Sequence, residues 1–358
     1  MSYKRILGEG NSLLSTKMPR HASMAATVLA SYGYKFIPGP SGRKGDFVLR
    51  KVSDESAGFS FEGPDHFASL AKATFLWVRE GLVSVCGLEP LPGMGPATPY
   101  ATPGLLERDA PLLLLCCGDV PGGDAGSWSR RLCINEGTVT GSMFEYIFRA
   151  QQRGWSVVVA DSHAHADTSS PHAHLAELWQ KVLSKCKAAS LLIVGHSYGG
   201  PNAVGLLKAE PAAAQRLAAF VGTDAMGWGH GGWSSTHLDE SAPSLEEVRS
   251  NLVEGGQKEE DAVWDAERLQ RYKPTLPAAF EPMSAELNTT LVAVARNYVA
   301  SDLAPGTPIR TDAGMILHVA AGSSEHGSTT MACVDSAFEY LERGAAGTAA
   351  QANAEARA

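Results

Sequence analysis

An apolar run that ends in a Gly-x-Ser-x-Gly motif constrains the fold of this chain more than any other feature. The run Leu191 to Val194 leads into Gly195-His196-Ser197-Tyr198-Gly199, and an apolar helical pattern follows. Glycines on both sides of the serine allow a turn so tight that the hydroxyl stands clear at the end of a strand. A strand before the serine and a helix after it are what a chance match usually lacks. The segment therefore predicts a nucleophile elbow with Ser197 at its tip.

Strand-like and helix-like segments alternate along most of the chain. Strands are predicted over Leu112 to Cys117, Trp155 to Ala160, Leu217 to Val221 and Met315 to Ala320. Helices are predicted over His66 to Arg79, Phe144 to Gly154, Leu175 to Leu183 and Met331 to Arg343. Such alternation indicates a mainly parallel central sheet with helices on both faces. Together with the elbow and an N-terminal hairpin over Tyr34 to Leu49, it predicts the α/β-hydrolase fold, with a helical insertion.

The predicted domain spans residues 31–343. Residues 1–30 form an N-terminal extension, and the alanine-rich residues 344–358 are expected to be a disordered tail. Leu91 to Gly104, rich in proline and glycine, is expected to be an exposed connection. A polar insertion at residues 229–288 contains a helix-starting capping box at Ser244 to Glu247. That insertion is either a lid over the sheet edge or a solvated helical excursion.

Charge and hydropathy argue against several classes of partner. The net charge is −8 and no block of Lys and Arg stands out, so we expect no direct nucleic-acid binding. No apolar run approaches the length of a membrane span, and the N-terminus lacks the apolar core of a secretory signal, so no membrane association is expected. Six cysteines without a C-x-x-C pair are typical of reduced thiols. We therefore predict an intracellular protein, cytoplasmic, nuclear or both, without a cofactor.

A serine hydroxyl becomes a nucleophile only beside a base that takes its proton and an acid that orients the base. In α/β-hydrolases these follow in the order Ser, acid, His. His326 lies just past the last predicted strand and is the predicted base for Ser197. Asp224, which follows the strand that ends at Val221, is the favoured acid. Asp302, after a further possible strand, is the alternative.

The oxyanion of such a reaction requires two backbone N–H groups. One is predicted from Tyr198, the residue after the nucleophile. The other is predicted from Gly118, in the loop after the first central strand, because glycine allows backbone to approach a substrate oxygen.

A second cluster, His163, His165 and Asp167, has the His-x-His-x-Asp spacing of a metallo-β-lactamase-type metal site. Thr168 stands where the full motif requires a histidine, and no later His/Asp series completes the ligand set. We therefore expect a polar loop at the mouth of the sheet and no catalytic metal.

Several stretches of the chain also resemble a known family. They are Tyr34 to Phe36 with Phe59 to Phe61, Ser127 to Asn135, Ser170-Pro171 with Trp179, His196 to Gly200, Thr223-Asp224, Asn297 to Val299 and Ala321 to His326. Together they resemble the Argonaute-binding (Arb-two-type) domain. That family includes the cotranscriptional regulator relatives and the C-terminal domain of fungal class II histone deacetylases.

The resemblance implies an α/β-hydrolase-like domain over roughly Ser31 to Arg343. It places the family's serine, Thr-Asp pair and terminal histidine at Ser197, Asp224 and His326. The chain departs from the family at Cys117-Gly118, where His-Gly is usual, and at Ser324-Glu325, where Asp-Arg is frequent.

Two functions stay open at this point. The complete Ser, Asp and His set in the expected order favours a serine hydrolase that acts on a small-molecule ester or amide. The resemblance also implies an alternative, because some members of the family look like intact hydrolases and others serve as interaction modules. In that alternative the chain is a catalytically weak or inactive partner of Argonaute or chromatin proteins in gene silencing.

Overall fold

A computed structural model describes residues 23–94, 97–118, 125–162, 171–225, 283–309 and 314–357. The predicted metal-like cluster at residues 163–167 and nearly all of the insertion at residues 229–288 lie outside these ranges. The N-terminal extension is described only from residue 23 onward.

Eight strands form one sheet. They are β3 Glu89–Pro90, β4 Tyr100–Ala101, β5 Leu112–Cys116, β6 Ser156–Val159, β7 Leu191–His196, β8 Leu217–Thr223, β9 Ala295–Val299 and β10 Leu317–Ala320. Their order across the sheet is β10-β9-β8-β7-β5-β6-β4-β3. Strands β5 to β10 pair in parallel, whereas β4 runs antiparallel to β6 and β3 antiparallel to β4. The predicted α/β-hydrolase fold with a mainly parallel sheet is confirmed.

Apolar side chains fill both faces of the sheet. In β5, Leu113 and Leu115 pack into one core, whereas Leu112, Leu114 and Cys116 pack into the other. Successive residues of a strand point to opposite faces, so a continuous apolar run indicates a strand covered on both sides.

The described helices account for this cover. They are α1 Met24–Ser31, α2 Pro64–Ser84, α3 Arg130–Asn135, α4 Thr138–Gly141, α5 Phe144–Gln152, α6 Pro171–Lys181, α7 Gly199–Ala209, α8 Pro211–Arg216, α9 Ala285–Val294, α10 Thr329–Ala332, α11 Val334–Ala345 and α12 Ala349–Arg357. None of the helices within the described ranges is long and apolar enough to cross a membrane.

The predicted N-terminal hairpin consists of β1 (Tyr34–Pro38) and β2 (Phe47–Lys51), paired antiparallel apart from the main sheet. Aromatic contacts join it to α2, since the Phe36 ring lies 4.3 Å and the Phe47 ring 4.9 Å from that of Trp77. The Thr138 hydroxyl also accepts a 2.9 Å hydrogen bond from the Phe47 N–H.

The expectation of an exposed connection over Leu91 to Gly104 was wrong. This stretch contributes β4 to the sheet, and Met94, Ala97 and Ala101 are buried. A strand of only two residues needs few ladder hydrogen bonds, so flanking prolines and glycines do not prevent it.

The expectation of a disordered tail after residue 343 was also wrong. Helix α11 extends to Ala345, and α12 then packs against the start of β9 with Asn353 buried. The Asn353 amide donates to the carbonyls of Ala293 at 2.9 Å and Ala295 at 3.1 Å, and its oxygen accepts from Arg296 Nε at 2.7 Å. Alanine has the highest helix propensity and permits close packing, so this tail needs few large apolar residues.

The boundary predicted at residue 31 likewise lies too far along the chain. Helix α1 begins at Met24 and packs on α2, with Ala25 and Leu29 buried. The Glu80 carboxylate of α2 accepts hydrogen bonds from the Ser23 hydroxyl and the Ala25 N–H.

Candidate active site

The turn between β7 and α7 holds Ser197 in a strained conformation. Its φ angle is 51°, in the left-handed region that residues with a side chain rarely adopt. Helix α7 starts immediately afterward, with Tyr198 as its N-cap residue. The Ser197 N–H donates a 3.1 Å hydrogen bond to the Thr223 carbonyl of β8, which fixes the turn to the neighbouring strand. These are the features of a nucleophile elbow.

Glycine is required on both sides of the serine by the close approach of other backbone. A Cβ atom on Gly195 would lie 2.8 Å from the Gly200 nitrogen, and one on Gly199 would lie 2.3 Å from the Cys116 carbonyl oxygen. Both distances are too short for a real side chain, so the elbow packs directly against its own helix and the end of β5.

The loop after β5 reaches the elbow at Gly118. A Cβ atom on this residue would lie 3.0 Å from the Cβ of Ser197. The two residues predicted to provide backbone N–H groups, Gly118 and Tyr198, therefore flank Ser197, one across the turn and one after it along the chain.

Asp224 follows β8 directly and contacts the predicted base. Its Oδ2 lies 2.6 Å from Nδ1 of His326, and its Oδ1 accepts a 3.1 Å hydrogen bond from the Ala300 N–H. The Asp224 N–H donates to the Tyr298 carbonyl at 2.7 Å, and the residue has a left-handed φ of 47°. This turn directs the carboxylate at the loop that contains His326.

Two opposing effects set the charge of Asp224. Burial raises the pKa of this carboxyl, but the hydrogen bonds from His326 and Ala300 outweigh burial, and its pKa lies below the ordinary value. The carboxylate therefore remains ionised at neutral pH. The Asp224 side chain is 26% exposed, and the His326 side chain is 50% exposed.

Asp302, the alternative acid, lies beside the same loop. Among the described residues, no hydrogen bond or ion pair joins its carboxylate to the His326 imidazole. Its Oδ1 accepts a 2.9 Å hydrogen bond from the Ser324 N–H, two residues before His326. This carboxylate thus supports the backbone of the loop.

His196, the residue before the nucleophile, is buried in the centre of this cluster. Its Nδ1 lies 2.8 Å from the Thr223 carbonyl oxygen, and its ring stacks on that of His326 at a centroid distance of 4.8 Å. Burial, with a smaller effect from the positive charge of His326, lowers the pKa of His196 to about 3. Position within the motif placed this residue near the serine, but no sequence pattern indicated its contact with the base.

An exposed ion pair adjoins the base. The guanidinium of Arg131 on α3 pairs with the carboxylate of Glu325, the residue before His326. Arg130 instead lies over the Phe75 ring, with 4.8 Å between its guanidinium carbon and the ring centroid.

Comparison with known proteins places these residues in context. No family model matches the chain. A FAM172 family protein homolog of Caenorhabditis elegans is 30% identical over 195 residues, which cover 50% of this chain and 59% of the relative. The cotranscriptional regulator ARB2A homolog of Xenopus tropicalis is 26% identical over 188 residues, covering 36% of this chain and 43% of the relative. The predicted family resemblance is confirmed. The chain spans about half the length of these curated relatives.

Similar solved structures share little sequence with the chain. The histone deacetylase Clr3 is 9% identical with a TM-score of 0.42, over 80% of this chain and 46% of that one. A brefeldin A esterase, a bacterial homologue of human hormone sensitive lipase, is 16% identical with a TM-score of 0.36, over 74% of this chain and 76% of that one.

The two departures from the family pattern lie at the site itself. Glu325 stands where the resemblance led us to expect arginine, and it pairs with Arg131 of the Ser127 to Asn135 stretch. Gly118 matches the glycine of the His-Gly pair that the resemblance led us to expect. Among the described residues no group of three or more His, Cys, Asp and Glu side chains could hold a metal ion.

Proposed function

We propose that the chain is a serine hydrolase that cleaves a carboxylic ester or amide through Ser197, His326 and Asp224. The observation that carries this proposal is the 2.6 Å contact between His326 Nδ1 and Asp224 Oδ2, on the same sheet edge as the strained elbow. An orienting carboxylate on Nδ1 leaves Nε2 of the imidazole to act as the base.

The proposed reaction has two steps. As Ser197 Oγ attacks the substrate carbonyl carbon, His326 Nε2 takes the hydroxyl proton and then gives it to the departing alcohol or amine. Water then attacks the acyl-enzyme with help from the same base, which releases the acid and returns the proton to Ser197. The ionised Asp224 stabilises the imidazolium formed in each step.

The N–H groups of Tyr198 and Gly118 are proposed to stabilise the oxyanion. Tyr198 is the N-cap residue of α7, at the helix end where the dipole favours negative charge. The absence of a side chain on Gly118 supports this role, because a Cβ there would press on Ser197. Such donors are commonly worth about 10²–10³-fold in rate.

Labelling with a fluorophosphonate probe, followed by mass spectrometry of the modified peptide, tests the proposal. The wild type should be modified at Ser197, and Ser197→Ala and His326→Ala should abolish labelling. Ser324→Ala, which changes an exposed serine two residues from His326, is the matched control and should label normally. A folded wild type that remains unlabelled would contradict the proposal.

A second candidate is an interaction module in Argonaute- or chromatin-linked gene regulation. It is supported by the name of the ARB2A relative, a cotranscriptional regulator, and by the family resemblance. Such a role implies an intracellular protein, nuclear at least in part. Affinity capture with the wild type and Ser197→Ala, tested against Argonaute and chromatin proteins, separates the candidates. Equal capture by both variants, without labelling of the wild type, would favour the interaction module.

A further inference from the structure

His196 is a buried titratable side chain for which the proposed mechanism has no use. Only 3% of its surface is exposed. Its Nδ1 lies 2.8 Å from the carbonyl oxygen and 3.2 Å from the hydroxyl oxygen of Thr223. A carbonyl oxygen only accepts hydrogen bonds, so Nδ1 is the nitrogen that carries the proton.

Two aromatic side chains pack against the His196 ring. The ring of His326 stacks on it with 4.8 Å between centroids and 29° between planes. The buried Trp128 ring contacts the His196 ring edge-on, with 6.2 Å between centroids and 74° between planes. Offset stacks and edge contacts of this kind are favourable geometries for aromatic pairs. His196 therefore has one orientation, and its face is presented to His326.

One carbonyl aligns the parts of the candidate site. The Thr223 carbonyl accepts hydrogen bonds from both the Ser197 N–H, at 3.1 Å, and the His196 ring. The carboxylate of the next residue, Asp224, contacts Nδ1 of His326. The end of β8 thus sets the position of the nucleophile, the acid and the stacked ring together.

We propose that His196 is a positioning residue, a stacking platform that holds the imidazole of His326 in the plane needed for proton transfer between Ser197 and the substrate. This inference rests on the proposed hydrolase function. The half-exposed His326 ring could otherwise rotate about its side-chain bonds, because the hydrogen bond to Asp224 fixes one edge and leaves the ring plane free.

The chemistry of the platform suits this role. Burial keeps His196 neutral, with a pKa of about 3, so it does not repel the imidazolium that His326 becomes during each step. A neutral ring with its only N–H bound to Thr223 also has no proton to exchange with the base.

Two substitutions separate the ring from its hydrogen bond. His196→Asn keeps a donor that can reach the Thr223 carbonyl but removes the stacked ring, whereas His196→Phe keeps a ring and removes the donor. We expect the Asn variant to lose about 10- to 100-fold in the maximal rate of fluorophosphonate labelling, with probe affinity unchanged, as small misplacement of a reacting group does. The Phe variant should retain most of the rate.

Proton NMR supplies a readout that does not depend on hydrolysis. The His326 Nδ1 proton shared with Asp224 should give a low-field resonance, assigned by its absence in His326→Ala. It should persist in the wild type and His196→Phe and broaden or vanish in His196→Asn, with folding checked by circular dichroism. If the Asn variant does not fold, His196→Gln makes the same comparison.

The outcomes distinguish this inference from the function on which it rests. An Asn variant with the labelling rate and resonance of the wild type overturns the platform. So does a Phe variant that falls as far as the Asn variant, because the hydrogen bond to Thr223 would then be what matters. A third outcome is a wild type that remains unlabelled while the His326 Nδ1 resonance persists in His196→Phe and is lost in His196→Asn. In that case the stacking platform stands and the hydrolase proposal fails.

Discussion

Two aspartates follow neighbouring strands at the same sheet edge, and they contact the candidate base in different ways. Asp224, after β8, bonds the imidazole of His326, whereas Asp302, after β9, bonds the backbone N–H of Ser324 in the same loop. A left-handed turn directs the first carboxylate at the ring. Both residues satisfy the same sequence pattern, so the role of an aspartate at a strand end is assigned from the atoms that it contacts.

The largest expected effect tests this difference directly. Asp224→Asn should reduce fluorophosphonate labelling of Ser197 about 10⁴-fold, because an amide no longer holds the imidazole in the required tautomer. Asp302→Asn, the matched control at the next strand, should stay within about tenfold of the wild type, because it weakens one loop hydrogen bond. Rates measured under identical conditions compare the two, and the reverse ranking would make Asp302 the acid.

A buried side chain, Asn297, holds the backbone beside Asp224. Asn297 is buried, and its side chain accepts from the Ala225 N–H at 3.0 Å and donates to the Ala225 carbonyl at 3.1 Å. Asn297→Ala should lower the free energy of unfolding by about 1–3 kcal/mol, because it leaves buried backbone groups unpaired. Urea denaturation measures this, with the exposed Asn288→Ala as control. Equal stability of the two variants would mean that the Asp224 turn holds without Asn297.

A smaller loss of stability is expected when Asp302 is replaced by alanine. Asp302→Ala removes the acceptor for the Ser324 N–H in an exposed loop, where water can replace it, so the free energy of unfolding should fall by about 1 kcal/mol or less. Denaturation alongside Asn297→Ala ranks the two supports. If Asp302→Ala lowers the free energy of unfolding more than Asn297→Ala does, the loop that contains His326 depends on its hydrogen bond more than the Asp224 turn does.

The smallest effect on stability is expected from the ion pair between Arg131 and Glu325. Arg131 and Glu325 are each about half exposed, with side-chain exposures of 54% and 46%. Their coupling in a double-mutant cycle should be about 0.2–1 kcal/mol and should weaken with added salt. Coupling that exceeds this range and resists salt would mean that the pair anchors the loop as firmly as the aspartates do.

Prediction from the sequence succeeded where local sterics or periodicity decide the outcome. The elbow at Ser197 needs only adjacent glycines and a strand before it, and apolar runs such as Leu112 to Cys117 are readable as buried strands. It failed where packing against distant residues decides. The alanine-rich α12 is ordered by Asn353 bonding to Ala293 and Ala295, some 60 residues earlier in the chain.

The parallel sheet and the position of Ser197 follow from the sequence alone, because strand periodicity and the backbone freedom of glycine act within a few residues. The sequence also narrowed the acid to two aspartates, each at the end of a strand. The contact of Asp224 with the His326 ring and the stacking of His196 on that ring arise only in the folded chain. A hydrogen bond or a ring contact depends on ångström distances between residues about 100 or more positions apart, and chain order carries no such information.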